Sequence, residues 1–118
     1  MLNEENMGVF AHLIYEYLKG LRPLALHTFM SADKERITAR LERRGITYTL
    51  QQVSDTRMNV YFGNPTCVEV VRSFGSKPLC RLTSEEDFIL GIMLGYDRQM
   101  QCERYLHTKQ AWKGKVTA

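Results

Sequence analysis

The sequence predicts an α+β protein with a ferredoxin-like β-α-β-β-α-β core, in which four strands form one antiparallel sheet. Three observations lead to this fold class. Two stretches, Ile46–Val53 and Met58–Phe62, alternate apolar and polar residues, which is typical of half-buried strands. Two helical patterns, Ala32–Arg44 and Pro65–Phe74, separate the strand-like segments. A further helical pattern stands at each end of the chain, so we expect an added N-terminal helix and a long C-terminal helix.

The first third of the chain is predicted to form a helix, a strand and a second helix. Residues 4–19 carry pairs of apolar residues at a four-residue spacing, and Gly20 suits the end of that helix. Arg22–Pro23 interrupts the pattern, and the apolar run Leu24–Met30 then predicts a buried strand. The helix Ala32–Arg44 directs apolar residues inward and four arginines outward: Arg36, Arg40, Arg43 and Arg44.

The middle of the chain is predicted to be a β-hairpin in which each face has a distinct chemistry. A polar turn at residues 54–57 joins the two alternating strands. The period of two puts the apolar residues Tyr48, Leu50, Val60 and Phe62 on one face, and Thr47, Thr49, Gln51, Asn59 and Tyr61 on the other. We expect His27 to join the polar face if its neighbours Leu24 and Leu26 point toward the helices.

The next helix and the fourth strand complete the predicted core. Asn64 and Pro65 are favoured at a helix N-terminus, and they predict the helix Pro65–Phe74. Lys77–Arg81 is predicted as an edge strand, since Pro78 cannot donate a ladder hydrogen bond. Right-handed crossovers would place both internal helices on one face of the sheet. The two flanking helices would then either cover the second face or pair with each other across the sheet edge.

Leu82–His107 is the longest helical pattern, and its first half is apolar on every side. Thr83 and Glu86 predict a capping box at its start. Gly91 and Gly95 permit either close approach of a partner or tight packing in the chain's own core. Large apolar patches seldom stay exposed in a monomer, so we expect a symmetric homo-oligomer, most simply a dimer. Its predicted interface contains Phe88, Gly91, Ile92 and Gly95.

Composition limits the classes of function. A chain of 118 residues is expected to form one domain, residues 1–118, with an ordered core at 4–107 and a loose tail at 108–118. A net charge of +3 is too small to indicate nucleic-acid binding, and no apolar run is long enough for a membrane span. The acidic N-terminus does not resemble a signal peptide, and three separated cysteines do not suggest a disulfide framework. These features predict a cytoplasmic protein.

The sequence contains no recognisable catalytic or metal-binding constellation. A metal site would require Cys80, Cys102 and a histidine to converge, so we expect no metal and no cofactor, and we interpret the cysteines as small buried hydrophobes. Cys67 lies in the first turn of a predicted helix, which can activate a thiol, but its apolar stripe favours burial. The polar side chains that we select as candidate ligand-binding residues are His27, Asn59, Tyr61, Asp97, Arg98 and Cys102.

Three segments, HLIYEYLKGLRPLALHTF, NVYFGN and LTSEEDFILGIMLGYDRQMQCERYL, carry a resemblance to known proteins. Over residues 8–107 the chain resembles a small bacterial family that is classed as a domain of unknown function. The resemblance supplies no catalytic residues. Such proteins are associated with flavodoxins, which implies a redox accessory role and an acidic protein partner.

Three functions follow as expectations. The leading one is a non-enzymatic oligomeric binding or accessory module that uses arginine-rich or open-sheet surfaces. The second is an electron-transfer accessory that docks an acidic flavoprotein, such as flavodoxin, through Arg40, Arg43, Arg44 and Arg98. The third is a small-molecule or metal-binding enzyme with a site near His27 and the polar half of the C-terminal helix.

Overall fold

The computed structural model describes the backbone of residues 2–117 and the side chains of residues 4–110. The elements largely follow the predicted order, but they differ from the prediction after the third helix. They are α1 (Leu2–Leu18), β1 (Leu24–Met30), α2 (Lys34–Arg43), β2 (Thr47–Gln52), β3 (Arg57–Gly63), α3 (Pro65–Ser73), α4 (Ser84–Met93) and α5 (Arg98–Thr117).

The sheet has three antiparallel strands in the order β1-β3-β2, so the predicted four-stranded ferredoxin-like core is wrong. Gly63, at the end of the central strand, is paired with Leu24 on one side and Thr47 on the other. The segment predicted as the fourth strand, Lys77–Arg81, contains instead a single 3-10 turn at Leu79–Arg81. Pro78 precedes that turn in an extended conformation, and the Lys77 carbonyl accepts a side-chain hydrogen bond from Gln51 instead of a strand partner.

Helices cover both faces of the sheet, and this arrangement corrects the prediction that α2 and α3 share one face. On the first face, α1 and α2 pack against Phe29, Val60 and Phe62, with Phe10 fully buried between the layers. On the second face, α3 and α4 pack against side chains that the alternation directs the other way: Leu24, Leu26 and Tyr61. The predicted alternation of β2 and β3 is therefore observed, although neither face is open.

His27 lies on the first face, so it does not join the polar residues of the second face. Its ring stacks on Phe10 at a centroid distance of 5.2 Å and lies 6.4 Å from that of Phe29. Leu26, the preceding residue, packs with the second-face core. Helices cover both faces of β1. The condition that Leu24 and Leu26 point toward helices therefore does not determine on which face His27 lies.

The predicted long helix Leu82–His107 is a helical hairpin. Gly95, with φ of 81°, ends α4 in a Schellman motif, since its N–H donates to Ile92 and the Tyr96 N–H donates to Gly91. Asp97 then caps α5 by accepting a hydrogen bond from the Met100 N–H at 2.9 Å. The capping box of Thr83 and Glu86 is present as predicted.

The C-terminal helix continues through most of the segment that was expected to be a loose tail. Side chains from residue 111 onward lie outside the described residues, so the expectation for residues 108–118 stays a prediction. Along the backbone that the structure describes, no helix combines the length and hydrophobicity needed to cross a membrane.

Candidate functional site

The six predicted ligand-binding residues do not form one site. Asn59 and Tyr61 lie side by side on the second face of the sheet, whereas His27 is on the first. Asp97, Arg98 and Cys102 lie in the turn and first helical turns of α5, where they are exposed. Asp97 has a structural role there as a helix cap. Of the six residues, the fold therefore brings only Asn59 and Tyr61 next to each other on one face of the sheet.

Asn59 and Tyr61 belong to a hydrogen-bonded row that crosses the second face. The Tyr61 hydroxyl donates to Oε1 of Gln51 at 3.3 Å, and Nδ2 of Asn59 donates to the same oxygen at 3.4 Å. Thr28 Oγ1 donates to Oδ1 of Asn59 at 2.6 Å, and Nε2 of Gln51 donates to the Lys77 carbonyl at 2.7 Å. These bonds fix the orientation of the Gln51 amide.

A cavity of about 320 Å³ opens beside this row, between β2, the end of α3 and the segment that follows α3. Its apolar walls include Val71, Phe74, Leu79, Leu82 and Leu90, and its polar side chains include Thr49, Gln51 and Tyr61. It occupies the place where the non-strand segment 74–82 passes over the sheet. The cavity is therefore present because this segment does not pair with the sheet as a fourth strand.

The charged groups at the cavity are already paired. Arg72 forms an ion pair with Glu69 and donates to the Tyr48 carbonyl, and Lys77 forms an ion pair with Glu86. Burial raises the pKa of the Tyr61 hydroxyl, so this group is a protonated donor at neutral pH. Each cationic side chain of the lining thus has a carboxylate partner that lies outside the lining.

Our selection of ligand-binding residues from the sequence missed Thr49 and Gln51. Their signal was present, since both share the polar parity of Asn59 and Tyr61 on the neighbouring strand. They were assigned only to a face, because alternation alone does not distinguish a solvated surface from a polar row under a helical layer.

His27 lies in an aromatic pocket away from this cavity. Its Nε2 lies 2.9 Å from Oδ1 of Asn6, and the Asn6 amide donates to the Thr28 carbonyl. Since that Asn6 oxygen can only accept, Nε2 of His27 carries the proton. Desolvation lowers the pKa of His27, so the ring is neutral in the folded protein at pH 7.

We expect His27 to make folding stability fall on acidification. The stabilising contribution is complete above pH 6.5, the ordinary pKa, and is lost as pH falls from there toward the lowered folded-state pKa. The free energy of unfolding should decline by up to about 1.4 kcal/mol per pH unit from this group. Urea titrations between pH 7.5 and 5.5 measure the slope. This slope should become flatter in the His27→Gln variant. It should persist in His12→Gln, because the His12 side chain is 69% exposed.

The arginine-rich surface predicted on α2 is present and borders a groove against α1. The groove has a volume of about 690 Å³. It is lined by four arginines, one glutamate and two apolar residues: Arg36, Arg40, Arg43, Arg44, Glu35, Met7 and Ala39. Arg36 lies 3.7 Å from the Asp33 carboxylate. Among the described side chains, no carboxylate forms an ion pair with Arg40, Arg43 or Arg44. We call these three residues the arginine surface.

The chain itself covers the predicted dimer interface only in part: Gly91 is buried, Phe88 and Ile92 are half-buried, and Gly95 is exposed. Gly91 is buried against α5, where an added Cβ would overlap the side chain of Gln101. Gly95 ends α4, and the Phe88 ring lies 5.4 Å from that of Tyr105. Of the two alternatives for Gly91, tight packing within the chain's own core is the one observed, because its close neighbour is Gln101 in α5 of the same chain.

An apolar groove remains on the outer side of the α4–α5 hairpin. Phe88, Ile89, Cys102 and Leu106 line it, and the side chains of Ile89 and Leu106 are 40% and 59% exposed. The pairs Glu85–Lys109 and Asp87–Arg104 neutralise charges on the same hairpin. Self-association through this groove stays a prediction.

The cysteines differ from the expected buried hydrophobes. Cys80 and Cys102 are exposed, and Cys67 is half-buried beside the second-face core. Within the described part of the chain, no group of three His, Cys, Asp or Glu residues is arranged to hold a metal ion.

Comparison with known proteins gives a family but no activity. A family model described as "Protein of unknown function (DUF2023)" matches residues 8–108, which is most of the chain. No curated protein matches the sequence.

Proposed function

This chain belongs to the DUF2023 family of proteins of unknown function, and from its surface geometry we propose that it is a non-enzymatic docking module for an acidic protein. The observation that carries the proposal is the arginine surface, Arg40, Arg43 and Arg44, whose side chains have no ion-pair partner among the described residues. Its binding partner is expected to present carboxylates in a complementary patch.

The chemistry of arginine supports recognition of a protein partner. A guanidinium group offers several donors in a fixed plane, which matches carboxylate geometry and permits two hydrogen bonds to one partner. The three residues extend from the last turn of α2 to its C-cap, beside a concave surface with an apolar floor at Met7 and Ala39. A protruding acidic segment could contact both the charged rim and this floor.

A local structural role accounts for only part of this charge. Cations near a helix C-terminus are favoured by the helix dipole, and Arg40 and Arg43 lie in the last turn of α2. The dipole does not explain why three arginines accumulate here, because like charges at i and i+4, such as Arg40 and Arg44, destabilise a helix. Arg98, which we had grouped with them, begins α5 beyond the other face of the sheet, so we leave it out of the proposed surface.

Flavodoxin is the acidic partner that the sequence resemblance suggests, and it is the probe for the test. We expect wild-type protein to bind oxidised flavodoxin at low salt and to lose affinity as salt rises, since screening shortens to about 3 Å at 1 M salt. Replacing Arg40, Arg43 and Arg44 with Glu should weaken binding roughly 100-fold, at about 1 kcal/mol for each lost pair. Isothermal titration calorimetry at two salt concentrations measures both effects.

A second triple variant separates the surface from net charge. Arg57→Glu, Arg81→Glu and Arg98→Glu change three exposed arginines and alter the net charge by the same amount. We expect this control to bind nearly as well as wild type. Equal loss of binding in both triple variants, or salt-independent binding, would contradict a specific arginine surface. Sedimentation velocity on the wild type gives the oligomeric state needed to interpret the stoichiometry.

A further inference from the structure

The cavity on the second face combines an apolar slot with a fixed polar end. Phe74, Leu82 and Leu90 line it from three different parts of the chain, so their spacing is set by tertiary packing. At the sheet, Tyr61 and Gln51 are hydrogen-bonded to each other, and this limits their freedom to turn away. A volume of about 320 Å³ suits one small ring system.

The polar end offers hydrogen-bonding capacity that the protein does not use. Oε1 of Gln51 accepts two long bonds, of 3.3 and 3.4 Å, and one N–H of its amide remains after the bond to Lys77. The Tyr61 hydroxyl donates to Gln51, and its oxygen already has a hydrogen bond from the Asn59 side chain, so Tyr61 is the least free of these groups. Thr49 also lines the cavity, and its hydroxyl has no hydrogen bond to any described residue. Donors and acceptors therefore lie next to each other.

The charge balance selects an uncharged ligand. Arg72 and Lys77 are the cationic residues of the lining, and each is already paired with a glutamate. A charged ligand would lose water without gaining a free counter-charge, which is unfavourable in a partly apolar site. A neutral polar group would instead meet the adjacent donors and acceptors of the sheet.

We propose that this cavity binds a small uncharged aromatic ring that carries a carboxamide-type donor and acceptor. The ring lies between Phe74 and the leucines, and its amide edge meets Thr49, Gln51 and Tyr61. This site is on the opposite face of the sheet from the arginine surface, so the proposal is independent of the proposed function.

Benzamide is the probe, and the readout is the ¹H–¹⁵N spectrum of the labelled full-length protein. We expect saturable shifts at Thr49, Gln51, Tyr61, residues 74–77 and Leu79, with a Kd on the order of 1 mM for so few atoms. Benzoate has the same shape with a negative charge, and it should bind at least about tenfold more weakly because the charge is not compensated. The Arg40/Arg43/Arg44 variant should bind benzamide as well as wild type does.

Two threonines of the same strand provide matched variants. Thr49→Val removes the cavity hydroxyl and should raise the benzamide Kd about fivefold, which is the loss of one ordinary hydrogen bond. Thr47→Val has the same parity but does not line the cavity, so its Kd should stay at the wild-type value. Absence of saturation, shifts that map away from the cavity, or equal binding of benzoate would overturn the proposal.

Discussion

Gly63→Ala is expected to lower the free energy of unfolding by at least about 3 kcal/mol. The backbone at Gly63 has φ of 145°, a region that only glycine enters readily. An added Cβ would also lie inside van der Waals contact of the Pro23 carbonyl oxygen and 3.1 Å from Cα of Leu24. Both are backbone atoms, one in β1 and one in the residue that precedes it, so no side-chain rotation relieves the contact.

The position of Gly63 makes a compensating shift costly. The residue pairs with both outer strands, and the next N–H, of Asn64, donates to the Pro23 carbonyl at 2.9 Å. Asn64 in turn caps α3. A displacement at Gly63 would therefore disturb the sheet and the start of a helix together.

Urea denaturation at pH 7 tests this expectation against Gly8→Ala as the control. Gly8 is exposed on α1, its φ is not positive, and an added Cβ would meet nothing within 4 Å. Gly8→Ala should be stabilising by up to about 1 kcal/mol, since alanine is favoured over glycine in a helix. A loss below about 0.5 kcal/mol for Gly63→Ala would show that the backbone relaxes freely, contrary to the strain argued here.

Local patterns predicted most of the elements because their signals depend on only a few neighbouring residues. The alternation of β2 and β3 placed Tyr48 and Val60 on one face and Gln51 and Asn59 on the other, as observed. The Thr83 capping box and the Asn64 cap were equally readable. Period and capping chemistry determine such features before any tertiary contact forms.

The number of strands and the position of α3 depend on long-range packing that periodicity does not report. Five residues around Pro78 resembled an edge strand, but they pass over the sheet and leave the cavity. Without a fourth strand, α3 is not a crossover between parallel strands, so the right-handed rule does not place it. Since α3 and α4 cover the second face, the two candidate ligand-binding residues there, Asn59 and Tyr61, are buried.

The break at Gly95 was hidden by a continuous apolar pattern. Leu90 and Leu94 face the second-face core, and Gly91 accommodates Gln101 of α5. A hairpin therefore supplies from the same chain part of the cover that we had expected from a second subunit. Gly95 is a signal for the end of one helix, and Asp97 is a signal for the beginning of the next. Either residue alone is compatible with a long helix.

Phe10→Ala is expected to cost about 3–5 kcal/mol, because it removes a fully buried ring from the first-face core. The ring stacks on His27 and meets Phe62 edge-on, with centroids 5.6 Å apart. The size of the loss distinguishes a permanent α1 layer from a loosely attached helix. Val9→Ala is the neighbouring control, since that side chain is mostly exposed and its loss should change stability by less than about 0.5 kcal/mol.

The pH dependence of Phe10→Ala gives a second and independent readout. Removing the ring admits water beside His27, so its lowered pKa should rise toward 6.5. The folded and unfolded states then bind more nearly the same number of protons. As a result, the free energy of unfolding declines less steeply when the pH is lowered. Urea titrations of Phe10→Ala from pH 7.5 to 5.5 measure this slope, with Val9→Ala keeping that of wild type. An unchanged slope in Phe10→Ala would mean that α1 collapses onto the ring space, and a stability loss below about 1 kcal/mol would mean that α1 contributes little to the core.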